Sequence, residues 1–210
     1  MLTNSSPQLQ VTTLYAPSNR CFIAVCGGDE QSGAYLLRIR VRESFTMPYG
    51  RFKKAKPIHT PAGEYLYIGS ALGSKGGAPL ARRLVRHAAR TGELPPHPIQ
   101  QTFLQFFRSI QLGEGNLLPR NGKRLHWNVD HLLDRAEAEL IGAVILRTRA
   151  KIERELGQLI LNDPCASIIE KGIGANDIPG NTHLVKIEAE EAWWRQLPVK
   201  TAPLLNIGEE

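Results

Sequence analysis

At 210 residues the chain is long enough for one well-packed domain with an appendage, and short for two independent domains. Its 42% hydrophobic and 22% charged residues are ordinary for a soluble globular protein, and no apolar run approaches the roughly 20 residues that cross a bilayer. A formal net charge of +6 favours a polyanionic partner over an acidic or neutral one, since neutralising phosphates releases counterions.

Residues 1–20 are polar and aperiodic, which predicts a flexible N-terminal tail or an irregular edge segment. The opening Met-Leu-Thr-Asn-Ser-Ser lacks a basic start followed by an apolar stretch, so no signal peptide is expected and the cytoplasm is the expected compartment. Cys21–Val25 reads as a short strand, ended by Gly27-Gly28-Asp29. In Ala34–Val41, Tyr35, Leu37, Ile39 and Val41 share one face and Arg38 and Arg40 the other, the mark of a half-exposed strand. Residues 43–62 combine three prolines and Gly50 with Arg51, Lys53, Lys54 and Lys56, which predicts a long basic connection. Glu64–Ser70 returns as a second strand, able to pair antiparallel with the first.

After the bend Gly73-Ser74-Lys75-Gly76-Gly77, residues 79–90 read as an amphipathic helix started by Pro79. Residues 91–124 are irregular around a short helix at Gln101–Leu112. A helix is expected from His126 to about Ala138, a strongly apolar strand at Leu140–Leu146, and an amphipathic helix at Ala150–Leu161 stopped by Asn162-Asp163-Pro164. A loop over Gly172–Asn181 leads to a last strand at Thr182–Ile187, and residues 191–210 read as a tail carrying Trp193-Trp194. The three cysteines are scattered, with no second Cys/His pair at metal spacing, and read as buried thiols.

Gly33-Ala34-Tyr35, then Tyr67-Ile68-Gly69, then Leu80-x-x-Arg83-Leu84-x-x-His87 resembles the GIY-YIG endonuclease superfamily. Tyr65–Ala71, His126–Asp130, Glu153–Leu156, and Gly172–Asp177 with His183-Leu184 bring the chain closest to a prokaryotic branch of it, over about Gly33 to Ile187. The resemblance implies a mixed α/β (α+β) fold, a small, mainly antiparallel sheet flanked by helices, in one domain over 21–190 with an insertion around 91–124. It implies a metal-dependent endonuclease acting on nucleic acid, DNA ahead of RNA, with Mg²⁺ or Mn²⁺ on one glutamate. Tyr67 would sit beside the scissile phosphate and orient or deprotonate the water, with Tyr35 assisting. Asn128 stands where the branch has a second histidine.

Physical placement narrows the candidates. Tyr65 and Tyr67 project from the same side of their strand, and Gly69 leaves room for a close backbone approach. Arg83 and His87 lie four apart at the border of the apolar stripe, whereas Arg82, Arg86 and Arg90 lie on the solvent side. That border position favours Arg83 as the phosphate fork and lets His87 shuttle a proton or bond phosphate. Glu153 falls at the edge of its helix's apolar stripe and Glu155 outside it, which favours Glu153 as the metal ligand. His126, Asp130 and His131 form a second polar cluster in which His126 and Asp130 can meet. Asp177 and His183 are candidates for its rim, with helix or loop capping the competing role for Asp130 and Asp177. Arg51, Lys53, Lys54, Lys75 and Arg86 would contact the nucleic-acid backbone. Two further readings stay open: a nucleic-acid-binding module without turnover, and a protein-interaction domain using Trp193-Trp194 as an exposed anchor.

Overall fold

The computed structural model describes residues 11–15, 21–73, 79–175 and 180–207. Among these run β1 (Val11–Tyr15), β2 (Phe22–Gly27), β3 (Gly33–Val41), β4 (Phe45–Pro48), β5 (Pro57–Thr60), β6 (Gly63–Ala71), α1 (Leu80–His87), α2 (Ile99–Ser109), α3 (Asn128–Leu133), β7 (Ala138–Arg147), α4 (Glu153–Leu161), β8 (Ala166–Ser167), β9 (Leu184–Ile187) and α5 (Glu191–Thr201). The architecture is mixed α/β. A seven-stranded sheet runs in the order β1-β2-β7-β3-β6-β9-β8, and β4-β5 form a separate hairpin. β2 and β7 are parallel, and the other pairs are antiparallel.

Strand alternation explains the layers. Tyr35, Leu37, Ile39, Tyr65 and Tyr67 face a core shared with Leu80 and Leu84 of α1, Phe103 and Phe107 of α2, and Val129 and Leu132 of α3. Leu36, Leu66 and Ile68 face the other way, onto Leu156 and Ile160 of α4 and Trp194 and Leu197 of α5. Burying each such side chain contributes about 1.5–3 kcal/mol. β3 therefore is half-exposed only at Arg38 and Arg40, where the far face opens to a salt bridge between Arg38 and Glu64 at 2.7 Å.

Three stretches differ from the sequence reading. The basic connection at 43–62 holds the β4-β5 hairpin, with Met47 opposite Ile58, and its tip carries Lys53, Lys54 and Ala55 in left-handed backbone at φ 46°, 59° and 60°. Residues Val11–Tyr15 pair with β2 at the sheet edge. The segment after Glu190 begins with α5, where Trp194 is 2% exposed beneath the Arg38 guanidinium and Trp193 donates its indole N–H to Asp163 at 2.9 Å. Of the tryptophan pair, Trp194 is therefore a core residue and not an exposed one, while Trp193 is half-buried.

One end of the sheet is shaped for a site. β9 stops at Leu184, opposite Tyr67, while β6 continues to Ala71. The Ile68 N–H points to the β9 side and donates to His183 O at 2.8 Å. Two residues on, the Ser70 backbone has the same parity and faces an edge that β9 no longer covers.

Candidate active site

Ser70 is the meeting point. Arg83, from α1 on one face of the sheet, donates Nη1–H to the Ser70 carbonyl at 2.8 Å. Glu153, in the first turn of α4 on the other face, accepts the Ser70 hydroxyl proton. A cation and a carboxylate far apart in sequence thus meet at one open strand edge. The Nε–H of Arg83 is buried without a partner among the described residues, and an unpaired donor of this kind costs about 1–3 kcal/mol.

Next to this edge Tyr35, on β3, lies opposite Gly69, on β6. A Cβ at Gly69 would lie 2.6 Å from the Tyr35 hydroxyl, so the glycine makes room for the Tyr35 ring rather than for a ligand's approach. The Tyr35 hydroxyl is 2.9 Å from His87 Nε2, and His87 Nδ1 is 3.3 Å from Asp130 Oδ1. Tyr67 completes the cluster, its ring centroid 6.4 Å from that of Tyr35 and 6.0 Å from that of His87. Gly174, at φ +82°, packs on the other side of Tyr67, where a Cβ would stand 3.2 Å from the ring. No described residue takes a hydrogen bond from the Tyr67 hydroxyl.

Asp130 is the anchor of this side. Arg86 grips it with both terminal nitrogens, at 2.5 and 3.2 Å, and the backbone amides of His126 and Trp127 donate to it at 2.9 Å each. These amides open α3, so the capping role is real and coexists with the His87 contact. Burial opposes its charge, yet His87 and Arg86 hold the carboxyl well below the usual carboxylate range. Burial pushes His87 down to about 4 against the pull of Asp130, leaving a neutral imidazole beside an ionised carboxylate whose counter-charge is Arg86. His87 Nδ1 faces Asp130 at ion-pair distance without hydrogen-bond alignment, and a proton placed on Nδ1 leaves Nε2 to accept the Tyr35 O–H. Burial raises both phenols, and the charges of Arg83 and Glu153 bear on both. Both tyrosines are therefore neutral at pH 7.

Glu153 has its own histidine. His183 Nδ1 lies 3.1 Å from Glu153 Oε1; the imidazole is fully buried and the carboxylate 20% exposed. Burial raises the Glu153 carboxyl, but hydrogen bonds from His183 and Ser70 outweigh it and hold the group below its ordinary value. Each oxygen keeps one lone pair for a ligand. Among the described residues no three His, Cys, Asp or Glu side chains converge. One carboxylate with a hydroxyl beside it suits a hard cation that keeps most of its water, as Mg²⁺ or Mn²⁺ does, and does not suit zinc.

The other expected residues divide. The Arg86 side chain is 15% exposed and bound to Asp130, not solvated. Arg90 likewise turns inward, donating to the Leu133 and Ala138 carbonyls. His126 meets Asp130 through its backbone amide, while its exposed imidazole packs edge-on against Trp127 at 4.8 Å. His131 belongs to no cluster with Asp130: its Nε2 abuts Gly50 in the hairpin. Arg51 and Lys54 are exposed, and Lys53 and Lys56 pair with Glu170. Lys75 and Asp177 lie outside the described residues. Asn128 is a clasp rather than a vacant base position, donating to Tyr49 O at 3.0 Å and accepting from Gly174 N at 3.2 Å.

Two functional residues escape reasoning from charge. Ser70 is one, and Trp127, whose ring centroid lies 4.5 Å from the Arg83 guanidinium carbon and 4.4 Å from that of Arg86, is the other. Both sit inside the matching segments, and neither carries a charge or a titratable group that would single it out.

Fold and site together define a mixed α/β domain in which an arginine and a carboxylate meet at one open strand edge of a mainly antiparallel sheet. The family model described as "Domain of unknown function DUF123" matches residues 34–201, and the chain belongs to that family. No curated protein matches the chain, and no solved structure does. Among the described residues no helix is long and apolar enough to cross a membrane.

Proposed function

We propose that the protein is a metal-dependent, endonuclease-type phosphodiesterase acting on nucleic acid. The observation that carries this reading is the convergence of Arg83 and Glu153 on Ser70, beside a Tyr35–His87–Asp130 relay. The ordered GIY-YIG resemblance supports it, and so does the net charge of +6.

Phosphodiester cleavage needs a deprotonated water, a neutralised phosphate and help for the leaving oxygen. Arg83 keeps its Nε edge for a phosphate oxygen, held flat by Trp127 and fixed by Ser70. Tyr67 orients the attacking water with its hydroxyl, which no described residue claims. Tyr35 accepts the water's proton while passing its own to His87 Nε2, and Asp130 stabilises the imidazolium that forms. Glu153 and Ser70 would hold Mg²⁺ or Mn²⁺, which supplies charge neutralisation at the phosphate and the leaving oxygen.

The test is a cleavage panel of single-stranded, duplex and branched DNA and RNA with Mg²⁺, Mn²⁺ or chelator. Metal-dependent cutting by the wild type, lost in Glu153→Gln while binding persists, is the expected result. Binding without cutting under every condition would leave only a non-catalytic module. Binding indifferent to salt would remove nucleic acid as the partner.

A further inference from the structure

The two histidines of the site differ in what meets their second nitrogen. His87 Nε2 faces the Tyr35 hydroxyl, a group that can both give and take a proton. His183 Nε2 faces Asn181 instead, with the side-chain amide nitrogen at 3.5 Å. Both residues are buried, Asn181 to 3% exposure and His183 completely.

The orientation of the Asn181 amide is fixed by α4. Its Nδ2 donates to the Arg154 carbonyl at 3.3 Å, and its Oδ1 accepts from Gln158 Nε2. A backbone carbonyl can only accept, so the amide nitrogen is the atom on the Arg154 side, and that same nitrogen lies beside His183. Gly157 makes the seat. It places in α4 a residue that helices disfavour, and a Cβ there would stand 2.8 Å from Asn181 Nδ2 and 3.4 Å from His183 Nε2. Glu153 lies one turn before Gly157 on the same helix. One helix therefore meets both ends of the imidazole, with the Glu153 carboxylate at Nδ1 and the docked Asn181 amide at Nε2.

We propose that Asn181 is a positioning residue that acts on Glu153 through His183. It caps Nε2 as a donor, places the ring's proton on Nδ1 and turns that proton toward Glu153 Oε1. Two contacts reach this result independently. An Nε2–H would oppose the Asn181 N–H, donor against donor. A bare Nδ1 would oppose the carboxylate at 3.1 Å, acceptor against acceptor. Nδ1 meets Oε1 at ion-pair distance without hydrogen-bond alignment, so the polarity of that contact, not a tight bond, carries the second half of the argument. An amide cannot pass a proton on as a phenol can. His183 is thus a fixed donor, while His87 is free to relay. With Oε1 turned to the ring and Oε2 to Ser70, the carboxylate keeps its remaining lone pairs for the open strand edge. The benefit to a cation rests on the proposed role of Glu153 as metal ligand; the placement of the proton does not.

The experiment records long-range ¹H–¹⁵N correlations of the histidine rings in the full, metal-free chain at pH 7, with His183→Gln assigning the His183 signals. The wild type is expected to show His183 protonated on Nδ1 and bare at Nε2. Glu153→Ala is expected to keep that pattern, because Asn181 remains. Adding Asn181→Leu to Glu153→Ala is expected to shift the proton to Nε2, the form that an unconstrained neutral histidine favours. A wild-type ring protonated on Nε2 overturns the proposal, as does a Glu153→Ala ring without its Nδ1 proton or a double variant in which the proton stays in place. Mn²⁺ titration followed by electron paramagnetic resonance gives a second reading, in which Asn181→Leu is expected to bind about tenfold more weakly than the wild type. Gly157→Ala crowds the amide without removing it, and takes the place of Asn181→Leu in both measurements if that variant does not fold. Undiminished Mn²⁺ affinity overturns the proposal. A wild type that shows the Nδ1-protonated ring, keeps it in Glu153→Ala and binds no Mn²⁺ upholds the role of Asn181 in placing the proton and refutes only the metal at Glu153.

Discussion

Two carboxylate–histidine pairs approach the site from opposite faces of the sheet, and burial separates their roles. Asp130 and His87 are both fully buried, and Asp130 is saturated by Arg86, two amides and the imidazole. A carboxylate so enclosed has no room for a ligand; it can only fix the ring beside it. Glu153 shares a fully buried histidine, yet remains 20% exposed at an open strand edge, with lone pairs to spare. The same chemical pair is a clamp where it is dry and, in the proposed mechanism, a metal ligand where it is wet.

Breaking the dry pair has the largest expected effect. Asp130→Ala leaves Arg86 without its counter-charge and opens the first turn of α3, and is expected to cost about 3–5 kcal/mol in a urea titration. Glu153→Gln, at the wet pair, is expected to lower the cleavage rate by about 10²–10³-fold, with the urea midpoint nearly unmoved.

Acid titration sharpens the contrast. The His87 pKa in the folded chain is depressed, to about 4, from an ordinary 6.5. The unfolded chain therefore binds the proton first, and stability present above pH about 6.5 drains away as pH falls through about 4, by roughly 2–4 kcal/mol. His87→Gln is expected to flatten that limb, and to reduce turnover about 10²-fold because Tyr35 loses its proton acceptor. Urea midpoints between pH 7 and pH 4, compared for the two proteins, decide the point. The smallest effect belongs to the exposed hairpin. Arg51→Gln is expected to weaken nucleic-acid binding less than tenfold and to reduce the salt slope by about one.

Much of this was legible in the chain. The alternation Tyr35-Leu37-Ile39-Val41 gave β3, and the i, i+4 spacing of Arg83 and His87 at a stripe border placed both beside the tyrosines. The same border argument chose Glu153, which meets Ser70, over Glu155, which the wheel set outside the stripe. Glu155 is half-buried, with a buried Oε2 lacking a partner among the described residues. What escaped depends on tertiary register. Ser70 becomes a hub only because β9 ends at Leu184, which no local pattern encodes. The β4-β5 hairpin was masked by prolines and lysines that ordinarily mark loops, and its tip uses left-handed lysines where glycine is the expected residue. α5 carries Pro198 inside it, a breaker by propensity, yet Trp194 and Leu197 pull the segment onto the sheet. Arg86 read as solvated because a helical wheel cannot show that Asp130 arrives from another helix.

The most direct measurement is the single-turnover cleavage rate of the full chain with Mn²⁺, wild type beside Glu153→Gln, with affinity for the same substrate recorded in parallel. The geometry at Ser70 predicts equal affinity within about threefold and a rate lower by at least about 10²-fold in the variant. Equal rates, or a wild type that never cuts with any divalent ion, would contradict it.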